Sequence, residues 1–152
     1  MAITFQKSTI VTGTIGAGKT KFIDQFINEV YIPTELKIKI AKDNIYSTNF
    51  IKRLNARNKI NSFFFHECEP DTKLIVIDDI FNDEMIYYVA SLLTTGVTVN
   101  KPNYAPFVIH PSFILECNRS YFPESYFQNL PFCLQSRFEI IDINCLAITK
   151  TV

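Results

Sequence analysis

An excess of charge of either sign is missing from this sequence. Lys and Arg total 15, Asp and Glu total 15, and the formal net charge is zero. That balance argues against a protein that coats nucleic acid by charge alone, though it leaves room for a locally basic channel in an assembly. Nowhere does an apolar run approach the roughly 20 residues needed to cross a bilayer, so no membrane partner is expected. The N-terminal MAITFQKSTIV lacks the layout of a signal peptide. Cys68, Cys117, Cys133 and Cys145 never fall into C-x-x-C spacing, which argues against a disulfide scaffold or zinc site and for reduced thiols in an intracellular protein. Internal repeats, low-complexity segments and tryptophan are absent as well.

What is present suits a folded core. Hydrophobic residues make up 47% and charged residues 20%, too apolar and too weakly charged for a disordered segment. Fourteen Phe and seven Tyr supply much of the bulk that tryptophan does not. A length of 152 residues fits one compact domain, 1–152. The chain opens almost on top of its first strand, the layout expected of a core cut from a longer protein.

Hydrophobic periodicity alternates between the two regular types. Ser8–Thr12 is short and β-branched and reads as a strand, followed at once by a glycine-rich turn. From Lys19 the residues Phe22, Ile23, Phe26, Ile27 and Val30 recur at helical spacing, and Tyr31-Ile32-Pro33 ends that helix. Leu36, Ile38 and Ile40 alternate with polar neighbours as a half-wet strand. Phe50, Ile51 and Leu54 predict a helix over Ser47–Arg57. The run Leu74–Ile77 is apolar on both faces, as a buried parallel strand should be. Asp83 is placed to cap a helix carrying Met85, Ile86, Val89, Ala90, Leu92 and Leu93. Gly96–Ile109 reads as a hairpin with Lys101, Pro102 and Asn103 in its turn. Phe113–Cys117 predicts a strand, Pro123–Gln128 a short helix and Phe138–Ile143 a last strand. Strands alternating with helices imply an α/β domain with a largely parallel sheet.

The most specific signal is Gly13-Thr14-Ile15-Gly16-Ala17-Gly18-Lys19-Thr20, which fits G-x-x-x-x-G-K-[ST] at every specified position, between a strand and a helix. Glycines let a backbone wrap phosphate with its N–H groups pointing inward, and a helix N-terminus adds its positive dipole end. Lys19 is expected to reach the β- and γ-phosphates of ATP, and the Thr20 hydroxyl to bind Mg2+. Downstream, Leu74-Ile75-Val76-Ile77-Asp78-Asp79 is a hydrophobic strand ending in two carboxylates. A parallel sheet brings such strand ends to one edge. Asp78 is expected to hold the magnesium through water and Asp79 to orient or deprotonate the attacking water, although an acidic residue also simply begins a turn. Asn118, after the strand Phe113–Cys117, offers a neutral amide to the water or the γ-phosphate. Arg137 is one of only four arginines and suits an arginine finger supplied by a neighbouring subunit. Composition alone reads it as a surface salt bridge.

These elements, in this order, resemble the superfamily 3 helicases of small DNA viruses, in the pattern of parvovirus non-structural proteins and the papillomavirus replicative helicase. The likeness runs from about Ser8 to Ile143. Phe63-Phe64-Phe65-His66 resembles the lead into the acidic strand, and Gly96-Val97-Thr98-Val99-Asn100-Lys101 an extra motif whose hairpin carries a basic tip. Ile109-His110-Pro111-Ser112 through Asn118 resembles the run into the sensor asparagine, and Leu134-Gln135-Ser136-Arg137 the arginine-finger segment. The resemblance implies an AAA+ type P-loop domain: a largely parallel five-stranded sheet flanked by helices, with a β-hairpin inserted before the sensor strand. It further implies ATP and Mg2+ as cofactors, a hexameric ring, movement along single-stranded DNA with contacts at Lys101 and Asn103, and work in a host nucleus. Two departures stand out. Glu116-Cys117 replaces the small hydroxyl residues usual before the asparagine, and Pro102-Asn103-Tyr104 replaces further basic residues at the hairpin tip. Neither an origin-binding nuclease domain nor a helical collar is present in the sequence.

Other features read more blandly. Lys37, Lys39, Lys42, Lys52, Arg53, Arg57 and Lys59 suggest a solvated basic face rather than a DNA path. Tyr104 and Phe107 suit packing within the hairpin better than base stacking. His66 and His110 are isolated and point to no metal, and Arg119, next to Asn118, suits contact with a neighbouring subunit or a salt bridge equally well. Two competing functions remain from the sequence: a small nucleotide or nucleoside kinase, disfavoured because such enzymes clamp two phosphorylated substrates with several arginines, and a non-catalytic nucleotide-dependent switch. Guanine specificity is disfavoured because no N-K-x-D element follows the acidic strand.

Overall fold

A computed structural model describes residues 8–14, 16–27, 51–57 and 65–144. Five strands form one sheet: β1 (Thr9–Gly13), β2 (Ile51–Asn55), β3 (Leu74–Ile80), β6 (Ser112–Asn118) and β7 (Glu139–Asp142). Their order is β2-β3-β6-β1-β7, and every neighbouring pair is parallel. A separate antiparallel hairpin, β4 (Val97–Val99) with β5 (Phe107–Ile109), precedes β6. The helices are α1 (Lys19–Phe26), α2 (Asp83–Thr95), α3 (Glu124–Gln128) and α4 (Phe132–Gln135).

Side chains alternate across a strand, so a sheet covered on both faces must be apolar at successive positions. Val11, Leu74, Val76 and Ile114 turn to one face and pack with Ile23 and Ile27 from α1. Ile10, Ile75, Ile77, Phe113 and Leu115 turn to the other, against Met85, Ile86, Val89 and Ala90 of α2 and Leu134 of α4. The chain is therefore an α/β domain with a five-stranded parallel sheet flanked by helices. Parallel pairing also carries the C-terminal ends of all five strands to one edge.

The boundaries of α2 follow from local chemistry. The Asn82 side chain accepts from the Met85 N–H at 3.1 Å, while Asp83 and Glu84 sit in the first turn beside the positive end of the helix dipole. The cap is thus Asn82 and not Asp83, which becomes the first helical residue. Gly96 stops the helix at a φ of 80°, and a Cβ there would come within 2.7 Å of the His110 ring.

One expectation is overturned: the helix over Ser47–Arg57 is replaced, within its described part, by the edge strand β2, paired residue for residue with Leu74–Asp78. The physical reason lies in the spacing. Ile51 and Leu54 stand three apart, which puts them on one face of a helix but on opposite faces of a strand, and here Ile51 joins the α1-face core while Leu54 packs on the other. β3 runs three residues further than the apolar run, through both aspartates to Ile80. α4 follows Pro131 and was not anticipated. The expected strand Leu36–Ile40, the first helix's end at Tyr31–Pro33, and Phe63, Phe64, Ile15 and Cys145 lie outside the described residues.

Replacing Asn82 with Ala removes the α2 cap; a loss of about 1 kcal/mol in chemical denaturation is expected, with an unchanged denaturant slope.

Candidate functional site

The loop between β1 and α1 is shaped by two glycines in the left-handed region, Gly16 at φ 80° and Gly18 at φ 89°. A Cβ at either would meet nothing within 4 Å, so backbone conformation rather than crowding requires glycine there, and the loop faces open space. Gly13 is different: a Cβ on it would collide with Ile143 and Asn144. Asn144 in turn accepts from the Thr14 N–H and donates to the Thr14 hydroxyl, each at 3.1 Å, clasping the start of the loop. Lys19 is nearly buried, its ammonium donating to the carbonyls of Gly13 at 3.2 Å and Thr14 at 3.0 Å. Thr20 follows it in the first turn of α1.

β6 lies between the loop strand and the acidic strand. In register, Gly13 pairs with Asn118 and Val11 with Glu116. The Arg119 N–H donates to the Gly13 carbonyl, which ties the end of β6 to the mouth of the loop. Asn118 Oδ1 accepts from the Ser120 N–H at 2.9 Å and so caps the following turn, leaving its amide NH2 as the donor for a ligand. Arg119 itself pairs with Asp142.

The two aspartates part company. A register shift between Ile77 and Ile80 marks a bulge against β6. Asp79 inside it takes a left-handed φ of 61°. Its carboxylate lies 3.6 Å from the Arg57 guanidinium and 3.5 Å from the Asn55 amide, toward the end of β2. Arg57 also sits 5.4 Å from each of the Phe81 and Tyr121 ring centres and donates to the Tyr121 hydroxyl. Asp78 faces α1. Both of its oxygens are held by Arg53, at 2.6 and 2.9 Å, and the same guanidinium reaches Asp24 of α1 at 2.8 Å. Such a planar fork on a mostly buried carboxylate is the strong form of a charged hydrogen bond.

Glu116 occupies the gap between these groups and is only 8% exposed. Its Oε2 accepts from the Thr20 hydroxyl and its Oε1 from the Asp79 N–H, each at a long 3.4 Å. Burial, and next the nearby Asp78 charge, push its carboxyl above the usual carboxylate range, while the Asp79 N–H and Lys19 pull the other way. Loop, Thr20, Asp78, Glu116 and Asn118 thus converge at one edge of the sheet. Backbone N–H groups and a lysine stand on one side of this edge, and oxygens of the kind a hard divalent cation prefers stand on the other. Among the described residues no group of three His, Cys, Asp or Glu side chains is assembled to hold a metal alone. A cation that arrives with a nucleotide brings phosphate oxygens of its own, and Thr20 with the neighbouring carboxylates fits that role.

The remaining expected site residues lie elsewhere. Arg137 precedes β7, which runs parallel to β1 with Thr9 opposite Glu139. It therefore stands at the other edge of the sheet, about 13 Å or more from its own loop at the ordinary strand rise, and donates to the Ala90 carbonyl of α2 at 3.1 Å. Lys101 is a mostly buried partner of Glu69 at 2.6 Å. The exposed part of the hairpin turn is Pro102–Pro106, with Asn103 at a φ of 68° and Tyr104 65% exposed. Tyr104 thus does not pack within the hairpin, whereas Phe107 packs against the core. Cys68 and Cys117 are buried thiols, and burial pushes Cys68 up to about 11 and Cys117 higher still, so both stay protonated.

Arg53, Glu116 and Asn144 escaped the reading of the sequence as site residues. Its basic neighbours in sequence suggest a solvated face for Arg53, yet it is one of the less exposed charged groups. For Glu116 a signal existed: it lies two residues before Asn118 on a strand, hence on the same face. No protein-family model matches the sequence, and no curated protein matches it significantly.

Changing Glu116 to Gln keeps the bond from the Asp79 N–H, reverses the one with the Thr20 hydroxyl, which can accept from the amide NH2, and removes a poorly solvated charge, so the ligand-free protein is expected to melt a few degrees higher at neutral pH. Because the folded carboxyl is shifted upward, its penalty is full above the raised pKa and vanishes once pH falls below the ordinary carboxylate range. The advantage of the Gln variant should shrink along that path in melting curves taken from pH 7 to pH 4.

Proposed function

We propose that the chain is a P-loop ATPase of the AAA+ type, the motor core of a superfamily 3 replicative helicase that moves on single-stranded DNA as a hexameric ring. The observation that carries this reading is the register of Gly13 with Asn118. It sets the amide of the sensor position beside the mouth of the glycine loop, with the acidic strand next in line. The hairpin before β6 and the strand order add support.

In this reading the triphosphate of a magnesium–ATP substrate lies on the backbone N–H groups from Gly13 to Thr20, at the N-terminus of α1. Lys19 exchanges its loop carbonyls for β- and γ-phosphate oxygens, so loop and ligand compete for one ammonium. Thr20 and a carboxylate of the adjoining strands would hold the magnesium that accompanies the nucleotide. Asp79, anchored by Arg57 and Asn55, orients the attacking water, and Asn118 donates to that water or to the γ-phosphate. In-line attack breaks the bond between the γ-phosphorus and the bridging oxygen, giving ADP and phosphate. Arg137, too far from its own loop, acts on the neighbour's γ-phosphate.

The kinase reading loses ground on the arginines. Arg53, Arg57 and Arg119 are engaged by carboxylates of their own chain and Arg137 by a carbonyl, and there are four arginines in all. Arg137 alone, free of a carboxylate among the described residues, falls short of the several arginines that clamp a second phosphorylated substrate.

ATP hydrolysis measured across protein concentration, with and without single-stranded DNA, tests the proposal. Cooperative, DNA-stimulated turnover is expected, reduced about 10³-fold or more in Arg137→Ala and lost in Lys19→Ala. Turnover independent of concentration, DNA and Arg137 would leave an ATPase but sink the ring motor. Hydrolysis undiminished in Lys19→Ala would overturn the nucleotide site itself.

A further inference from the structure

The least compensated charge near the loop belongs to Glu116, and its surroundings define what is needed to balance it. Carboxylates are rarely buried to this degree unless paired. Here the hydrogen-bonding partners are neutral, a hydroxyl and a backbone N–H, and both bonds are long. Among the described residues it makes no ion pair with Lys or Arg within 4 Å, and Asp78 and Asp79 add charge of the same sign. Lys19 lies close enough to be felt, but its ammonium is bonded to loop carbonyls.

Asp78 stands in the opposite situation. Arg53 covers both of its oxygens and also reaches Asp24, which joins β2, β3 and α1 through one guanidinium. Its charge is already met by the fold. Of the two carboxylates facing α1 here, Glu116 is the one that touches the Thr20 hydroxyl and, among the described residues, has no ion-pair partner.

We propose that Glu116 is the carboxylate that receives the divalent cation of the bound nucleotide, sharing it with Thr20, while Asp78 stays with Arg53 as the brace that fixes the strand beside it. This rests on the reading of Gly13–Thr20 as a nucleotide loop and assigns its cation to a residue of β6. A hard cation prefers such oxygens, and magnesium needs only one or two protein ligands when phosphates supply others. The long contacts of Glu116 are then those of a group held ready for a ligand, and the cation relieves the electrostatic cost of its burial.

The test is binding, not turnover: titration of a fluorescent ATP analogue into the purified protein, with excess magnesium and with a chelator. Magnesium should tighten binding to the wild type. Glu116→Gln should lose about tenfold or more of that gain while binding the metal-free analogue as well as the wild type or better, because a negative charge beside the triphosphate is gone. Glu116→Asp, which keeps the charge, should retain part of the gain. A merely structural role would weaken binding with and without magnesium alike, and that result would overturn the proposal. So would a full magnesium gain in Glu116→Gln, with the nucleotide loop left standing. Absence of binding by the wild type under both conditions would instead bring down the nucleotide reading on which the inference rests.

Discussion

The pairing of β1 with β6 is the constraint from which the site follows, because it decides what stands next to the glycine loop. Thr9 to Gly13 run beside Ile114 to Asn118 without a break, and the Arg119 N–H adds one more bond to the Gly13 carbonyl. A strand's side-chain period is two, so a slip of one residue would exchange Glu116 and Asn118 for Cys117 and Arg119 on the α1 face. The apolar residues guard against that slip. Val11 and Ile114 must meet α1, and Ile10 and Leu115 must meet α2, so core burial holds the polar pair in place at the strand's end.

Charge is distributed around this edge with one imbalance. Arg53 with Asp78 and Asp24, Arg57 with Asp79, and Arg119 with Asp142 each match opposite signs between elements that are distant in sequence. The pairs at Asp78 and Asp142 are mostly shielded from solvent, whereas Arg57 and Asp79 are wet and contribute less. Each shielded pair ties two strands together, and removing one member would strand a charge in a place where water is scarce. Glu116 breaks the pattern, buried among strands and, among the described residues, without a cationic partner at ion-pair distance. A fold selected for stability alone would favour an apolar residue there, which is why the departure from the expected hydroxyl residues is informative.

Much of the fold was legible because it is written in local signals. The glycine loop announces itself by spacing at the point where period two gives way to period 3.6. Leu74–Ile77 reads as buried because apolar residues occupy both faces, and the run from Val97 to Asn118, a hairpin and then a strand, shows clear turn chemistry. β2 was misread because a spacing of three serves a helix face and two strand faces equally well. Arg53 and Glu116 were missed for another reason. Their partners lie 25 and 96 residues away, so their meaning comes from sheet order, which no local pattern encodes. Adjacency in sequence places Asp78 and Asp79 together at one strand end, yet a bulge sends one to α1 and the other toward β2.

Two residues assigned by resemblance to contacts outside the chain, Lys101 and Arg137, both hold partners within it, and the two bonds differ in kind. Arg137 donates once to the carbonyl of the buried Ala90 in α2, a bond that a neighbour's phosphate can outcompete, since the phosphate offers charge where the carbonyl offers a dipole. Lys101 is a mostly shielded ammonium on the Glu69 carboxylate, and releasing it would leave that carboxylate without its cation. On the proposed reading the arginine is therefore the easier of the two to redeploy. The hairpin instead presents Asn103 and Tyr104 at its exposed turn, a hydrogen-bonding amide beside an aromatic face. If the chain moves on single-stranded DNA as proposed, those groups suit contact by stacking and hydrogen bonding rather than by charge.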